Sequence, residues 1–223
     1  MALNNYANLK TSIANWLGRT DLVNDIPDFI TLAENDFNAK FVSAGYNKMV
    51  NFLDFDADAE TEALPTGFLG ANAVYLNSSP KVSLQYVTPN QAFDMYGSSV
   101  TGQPVAYTIL NDKIHFYPIP SGTYSVRMYY YKKFDALSGD TDTNDILNNH
   151  SDCYLFGALY FANTFIRGID PNIVKEWLNF YNNAIERVVS LNETNKYNQD
   201  AVSYTHLRAH ETDSYLVCRL LLE

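Results

Sequence analysis

The sequence is most constrained between residues 104 and 162, where strand-like segments are followed by a run without charge. Residues 154–161, YLFGALYF, contain no acidic or basic side chain. A helix that is apolar on every side must be covered all round by protein, and this run is too short to span a membrane. We therefore expect the central helix of a bundle, running from the acidic turn at 139–145 to about Arg167.

Ahead of this helix, apolar and polar residues alternate between Tyr107 and Phe134, around turn signals at 111–112 and 120–122. Alternation with a period of two, interrupted by such turns, predicts an antiparallel hairpin with one buried face. The strand-forming residues are Ile109, Ile114, Phe116, Tyr124, Val126, Met128 and Tyr130.

Helical spacing predicts two helices before this region and a last one after it. The first fits Leu3 to Leu17, and the second begins at Pro27, whose fixed φ suits a first helical turn. The last begins at Asp170, a capping residue followed by a proline. The apolar positions expected to be buried are Tyr6, Leu9, Ile13, Trp16 and Leu17, then Ile30, Ala33, Phe37 and Phe41, and finally Val174, Trp177, Leu178, Tyr181, Ile185, Val188 and Val189.

From Met49 to about Ala136 the hydrophobic period changes to two and prolines and glycines are frequent, which predicts a β-rich region. The expected fold class is α+β, with a four-helix bundle and an inserted small antiparallel β domain that is a sandwich or a barrel. We place the first half of the bundle at 1–46, the β domain at 47–138, the second half at 139–198 and a tail at 199–223.

Residues 202–223, VSYTHLRAHETDSYLVCRLLLE, resemble a translated DNA sequencing adapter rather than a natural protein segment. Residues 202–212 match the translation of a widely used transposon adapter one by one, and 216–223 match that of a flow-cell primer site. We therefore exclude 202–223 from the fold prediction. The exclusion also removes His206, His210 and Cys218 as candidate zinc ligands.

The composition is that of an acidic globular chain. The net charge is −10; two of the 15 basic and three of the 25 acidic residues lie in 202–223, so residues 1–201 carry −9. An acidic protein is a poor candidate for gripping nucleic acid or anionic lipid. With Cys153 alone, 1–201 has no disulfide framework, and the start lacks the basic and apolar parts of a secretory signal. We expect cytoplasmic synthesis.

An acidic motif at the start of the β region partly matches a calcium loop. Asp54, Asp56 and Asp58 form DxDxD, but Ala59 replaces the required glycine and Pro65 stands where a bidentate glutamate belongs. The motif is therefore interpreted as the solvated face of a strand, on which Leu53, Phe55, Ala57 and Ala59 alternate with Asp54, Asp56, Asp58 and Glu60.

Two further groups of polar residues are weighed as sites. Asp140, Asp142 and Asp145 precede a helix and are expected to cap its N–H groups rather than to bind a cation. His150 and Cys153 lie three positions apart, but further ligands, an orienting group and an oxyanion site are not visible in the sequence. Core packing and surface placement are the favoured interpretations of this pair.

Residues 127–133, RMYYYKK, interleave basic and aromatic side chains, which is the chemistry of a platform for single-stranded nucleic acid. On a strand, Met128 and Tyr130 would face one way while Arg127, Tyr129 and Tyr131 face the other. Given the net acidity, a sheet edge or a subunit contact is favoured instead. The sequence contains no phosphate loop, GxGxxG, GxSxG or HExxH, so we expect no enzyme, no cofactor and no metal.

Several segments, in their order along the chain, resemble the head-to-tail connector adaptors of tailed bacteriophages. These segments are WLGRTDLVNDIPDFITLAENDFN, LPTGFLGANAVYL, LQYVTPNQAF, PVAYTILNDKIHFYPIPSGTYSVRMYYYKKF and DCYLFGALYFA, ahead of a last amphipathic helix. Such adaptors form a ring beneath the portal. The resemblance implies a virion protein at the head–tail junction, about twelve copies per ring, and the portal protein and a tail or nozzle protein as partners, without a membrane.

The resemblance also implies which residues meet these partners. The bundle would form the ring, and a C-terminal arm would reach toward the portal. Subunit or portal contacts are expected at Trp177, Tyr181, Ser190 and Tyr197. DNA would pass through without specific binding, because negative walls repel phosphates. The acidic residues expected to face this channel are Asp54, Asp56, Asp58 and Glu60.

Two alternatives remain open. One is another head-completion or tail-ring structural protein, which would share the acidity and the folds but bind a different neighbour. The other is a carbohydrate-binding or hydrolytic protein whose tyrosine-rich β domain binds sugars, with an acid pair drawn from the Asp-rich turns.

Overall fold

A computed structural model describes residues 3–97 and 99–193 of the chain. The protein is a mixed α+β protein, as the sequence predicts. It divides into two compact units, and the division falls within a helix. Unit 1 is Met1–Phe37 with Leu137–Glu223, and unit 2 is Asn38–Ala136.

The described residues form six α-helices. They are α1 (Tyr6–Leu17), α2 (Ile26–Ser43), α3 (Pro89–Tyr96), α4 (Asp145–Asn149), α5 (Ser151–Phe165) and α6, which covers 171–193. The side chain of Asn5 caps α1 by accepting from the N–H of Asn8, at 2.9 Å. Gly18 ends α1 with a φ of 62°, a conformation that glycine adopts without strain.

The acidic turn before α4 has a different role from the one predicted. Asn144, rather than an aspartate, caps α4 by accepting from the N–H of Leu147. The carboxylate of Asp142 accepts from the N–H groups of Ser138 and Gly139, which fixes the turn itself. The carbonyls of Asp140 and Asp142 accept from the first two N–H groups of α1, at 3.0 and 2.9 Å. The turn therefore completes the start of another helix.

The central helix is shorter than predicted, because the chain leaves the helical conformation at His150. The φ and ψ of His150 are −142° and 48°, so that α4 and α5 are separate helices, and α5 ends at Phe165. Most of α5 is buried, including Cys153, Tyr154, Leu155, Ala158 and Leu159. The other described residues do not cover α5 on every side, since Phe156, Tyr160 and Phe161 are only half-buried.

The helices of unit 1 meet at a close approach around Gly157. A methyl group added there would lie 2.9 Å from the Cβ of Ala33 on α2 and 3.0 Å from the ring of Tyr181 on α6. Real side chains are not found at such distances, so the glycine sets how closely α5 approaches its neighbours. The helical stripes predicted for α2 and α6 are confirmed at their central positions, including Ile30, Ala33, Phe37, Tyr181 and Val188.

Hydrogen bonds tie together the chain ends at which unit 2 is inserted. In unit 1, the buried carboxylate of Glu34 accepts from the hydroxyl of Tyr154 at 3.0 Å and from the N–H of Leu137 at 3.3 Å. In unit 2, the side-chain oxygen of Asn38 accepts from the N–H of Phe134 at 3.3 Å. Within each unit, these hydrogen bonds therefore join the two segments through which the chain passes to the other unit.

Unit 2 contains ten strands in its described residues. They are β1 (Val50–Ala57), β2 (Thr61–Ala63), β3 (Phe68–Leu76), β4 (Val82–Ser83), β5 (Gln85–Tyr86), β6 (Thr101–Gly102), β7 (Ala106–Leu110), β8 (Lys113–Tyr117), β9 (Ile119–Pro120) and β10 (Tyr124–Lys132). Two four-stranded sheets have the orders β1-β10-β3-β4 and β2-β8-β7-β5, and β6 pairs with β9. Both larger sheets contribute to one apolar core that includes Val74, Ile114, Phe116, Val126 and Met128.

The predicted hairpin is only half correct. β7 and β8 pair antiparallel through a turn at Asn111 and Asp112, whose φ angles are 51° and 57°. β10 does not continue this sheet, because it pairs with β1 and β3 in the other one. The alternating residues of β10 were correctly expected to bury one face, but this face reaches the shared core from the opposite sheet.

Candidate interaction surfaces

The four acidic residues expected to face a channel are all exposed, but they do not share one strand. Asp54 and Asp56 lie on β1, which ends at Ala57, so Asp58 and Glu60 lie in the following turn. The predicted alternation therefore stops earlier than the sequence pattern indicates. Among the residues that the structure describes, Asp56, Asp58 and Glu60 have no ion-pair partner.

Asp54 differs from the other three because Arg127 compensates its charge. The guanidinium Nε and Nη2 of Arg127 donate to the two carboxylate oxygens at 2.7 and 2.6 Å. This paired hydrogen bonding lowers the pKa of Asp54 below its ordinary value. The same guanidinium lies over the ring of Phe52, 4.8 Å from its centroid. Arg127 is thus engaged on the sheet surface and is not a free cation for a phosphate.

The outer face of this sheet carries a small aromatic group. Tyr129 lies 6.3 Å from Phe52 and 6.2 Å from Tyr75, measured between ring centroids. Met128 and Tyr130 are buried on the other face, so the predicted division of 127–131 between two faces is confirmed. The interpretation of this segment as a sheet edge is wrong, since β10 lies between β1 and β3.

The residues expected to contact a subunit or the portal fall in three different environments. Trp177 and Tyr181 are 7% and 1% exposed, and the hydroxyl of Tyr181 donates to the carboxylate of Asp36 at 2.7 Å. Such burial leaves these two side chains little surface to offer to a neighbour. Ser190 is exposed, and Tyr197 lies outside the described residues.

Unit 1 has an aromatic row that sequence reasoning did not assign to a surface. Phe156 lies 5.7 Å from Trp16 and 4.9 Å from Phe180, so the row joins α1, α5 and α6. Trp16 and Phe180 are 54% and 48% exposed, and the prediction that Trp16 is buried is wrong. One sequence feature could have indicated this row, namely Phe180, which is an aromatic residue beside Asn179 on the polar face of α6.

The positions considered for chemistry are occupied by structural contacts. Cys153 is buried, and desolvation raises the pKa of its thiol to about 12, so it is protonated at neutral pH. His150 lies at the break between α4 and α5. Within 3–97 and 99–193, no three His, Cys, Asp or Glu side chains are arranged to hold a metal ion. In the same ranges no helix has the length and hydropathy of a membrane span.

Unit 2 has a cleft of about 190 Å³ beside α3. Aromatic and aliphatic side chains dominate its lining, together with one carboxylate. The lining residues are Glu60, Pro89, Phe93, Tyr96, Gly97, Val100, Tyr117, Pro118 and Ile119. Hydrolysis of a glycosidic bond ordinarily requires two carboxyl groups, so this lining does not supply the acid pair of the carbohydrate alternative.

The family model of the SU10 adaptor protein matches residues 4–205. The match covers nearly the whole chain, and the chain therefore belongs to the SU10 adaptor protein family. Membership supports its assignment as a structural adaptor protein of a bacteriophage and as a virion component. A comparison with curated proteins finds no match.

Proposed function

We propose that the protein is a head-to-tail adaptor whose copies form a ring between the portal and the tail, around the DNA channel. The family match carries this proposal, because residues 4–205 include all of unit 2 and every described helix of unit 1. The portal protein and a tail or nozzle protein are the proposed neighbours in the virion, after synthesis in the bacterial cytoplasm. The work is binding, with no catalytic step.

The helices of unit 1 would act as a four-helix bundle built from α1, α2, α5 and α6, with the β-rich region inserted. We retain the proposed partition into 1–46, 47–138 and 139–198. The tail at 199–223 would include a non-native part from residue 202 onward. The natural arm toward the portal would then begin near Ser190 and include Tyr197.

The aromatic row of unit 1 is the proposed place of subunit contact. Its exposed members, Trp16 and Phe180, offer apolar area on a unit that is otherwise rich in carboxylates. Apolar area of this kind drives association, and repeated heterologous contacts close a ring of about twelve copies. Trp177 and Tyr181 would support this surface from the core beneath it.

The acidic lining of the channel is proposed for Asp56, Asp58 and Glu60, with Asp54 as a minor member. The first three are exposed and without an ion-pair partner in the described chain, so no ion pair offsets their charge. Arg127 compensates Asp54 locally. Like charges on the wall would keep the phosphates of the DNA from sticking.

Electron microscopy tests the proposal directly. The full chain and a variant ending at Ala201 would each be imaged alone and mixed with the portal protein encoded by the same genome. We expect ring-shaped particles stacked on the portal, with matching symmetry. Equal behaviour of both chain lengths would support the assignment of 202–223 as non-native. An undecorated portal with both lengths would instead favour the other head-completion or tail-ring roles.

A further inference from the structure

Among the described strands, β1 is free along its whole length on one side, whereas β3, which β4 covers only at Tyr75 and Leu76, is free along part of its length. β1 lies at the end of its sheet, next to β10 only, and has eight residues. The other edge strands in the described chain, β2, β4, β5, β6 and β9, have two or three residues each. Short edge strands are a common protection against unwanted pairing, and a long edge lacks it.

The backbone donors of β1 point alternately to β10 and to the free edge. The N–H of Phe52 donates to the side chain of its neighbour Asn51, at 2.8 Å, rather than to another strand. Since donors on one side recur every second residue, the N–H groups of Asp54 and Asp56 face the same free edge. Apart from the N–H of Val50, which donates to the carbonyl of Asn47, described residues 50–57 make no backbone hydrogen bond outside the β10 ladder. The edge therefore presents two unpaired donors.

The two faces of β1 differ in chemistry. Asp54 and Asp56 are exposed on the outer face. Leu53 and Phe55 are half-buried on the opposite face, where they pack at the margin of the core. A strand placed beside β1 would alternate in the same way. A basic side chain would meet the carboxylate of Asp56, since Arg127 already compensates Asp54, and apolar side chains would extend the core.

We propose that β1 accepts an extended segment of another protein, one in which lysine or arginine alternates with apolar residues. The described part of a second copy does not fit this role. Two β1 strands would bring carboxylates together, the unpaired stretch 68–73 of β3 has no basic residue, and the remaining edge strands have two or three residues each. The inference goes beyond the proposed function. It rests on that function only in taking the extended segment to belong to another virion protein. Asp56 would then contact the added strand, and Asp58 and Glu60, beyond β1, would remain as the acidic lining of the channel.

The test uses fluorescent peptides of about eight residues and the full chain, with binding followed by anisotropy. The probe alternates lysine and valine. A second peptide has the same composition in two blocks, and a third replaces lysine with glutamate. We expect the alternating peptide to bind about tenfold more tightly than the block peptide, with no binding of the glutamate peptide. Equal binding of the two lysine peptides would overturn the proposal, since charge alone would explain it.

A matched pair of variants separates backbone pairing from charge. Asp56→Ala and Asp56→Pro remove the same carboxylate, and both leave the hydrogen bonds between β1 and β10 in place. Proline, unlike alanine, also removes the N–H group that faces the free edge. We expect Asp56→Pro to bind the alternating peptide about tenfold more weakly than Asp56→Ala. Equal affinities of the two folded variants would contradict the proposal.

A modified peptide makes the same test without altering the protein. Two peptides would be compared, one methylated on the backbone nitrogens of its odd residues and the other on those of its even residues. One of them should lose binding, because its methyl groups face β1, and the other should bind as before. Unchanged binding in both registers would again contradict strand addition. Peptide binding is independent of ring formation, so rings without peptide binding would reject this inference alone, and peptide binding without rings would reject the proposed function alone.

Discussion

Single residues decide how closely the helices of unit 1 approach. Gly157 is the clearest case, because its missing side chain leaves room for Ala33 and Tyr181. Glycine destabilises the interior of a helix by about 1 kcal/mol relative to alanine. The packing contacts that the glycine permits must therefore stabilise the fold by more than this amount. The residue is therefore better explained by the contact between helices than by the conformation of α5.

We expect Gly157→Ala to lower the free energy of unfolding by about 1–3 kcal/mol, because overpacking outweighs the gain in helix propensity. Urea denaturation followed by circular dichroism measures the change. The double variant Ala33→Gly with Gly157→Ala should recover part of the loss, since it removes the methyl group 2.9 Å away. A single variant as stable as the natural chain would show that the helices can separate at little cost.

At the same scale, the sequence predicted most buried positions and missed an exposed one. The spacing of Ile30, Ala33 and Phe37 places them on one stripe, and all three are buried. Trp16 continues the stripe of Ile13 by the same rule but is 54% exposed. Periodicity gives the direction of a side chain around its helix, whereas exposure depends on where the neighbouring helices end. That second quantity is not contained in the local pattern.

The sequence predicted the helices and strands themselves better than it predicted which strands pair with one another. Alternation along 124–130 correctly indicated a strand with one buried face, but it does not specify the strand beside it. β10 pairs with β1 and β3, which precede it by tens of residues, rather than with β8. The break at His150 was also missed, although residues 148–152, NNHSD, have low helix propensity; the prediction gave more weight to the apolar run that follows them.

The turn between β7 and β8 offers a prediction at this scale. Asp112 has a φ of 57°, a conformation that β-branched residues rarely adopt. We expect Asp112→Val to lower the free energy of unfolding by about 1–2 kcal/mol, measured by thermal or urea denaturation. Asp112→Asn removes the same charge and tolerates this conformation, so it should remain close to the natural chain. A similar loss for both variants would assign the effect to the carboxylate instead.

For the whole molecule, the two aromatic residues Phe180 and Trp177 on α6 separate folding from assembly. Phe180 is 48% exposed and belongs to the aromatic row, whereas Trp177 is 7% exposed. We expect Phe180→Asp to fold normally but to abolish rings, because a charge replaces apolar contact area. Trp177→Asp should lose the fold itself, since a buried carboxylate without a partner costs several kcal/mol.

Circular dichroism and particle imaging on the same samples give both readouts. Asn179→Asp adds the same charge to the polar face of α6 next to the aromatic row and should form rings. Rings formed by Phe180→Asp would place the subunit contact elsewhere on the molecule. A folded Trp177→Asp variant without rings would return Trp177 to the interface at which the sequence first placed it.

The hydrogen bonds of Glu34 with Leu137 and of Asn38 with Phe134 have a consequence for how such a protein can change over time. Each unit fixes the two points at which the chain crosses between them, using its own residues. Closing a loop costs entropy that grows only slowly with its length, and here both ends are already held on each side. Changes of length inside segment 38–136 should therefore cost the helical unit little loop-closure entropy, whereas an exchange made at residue 38 would cut α2 in two.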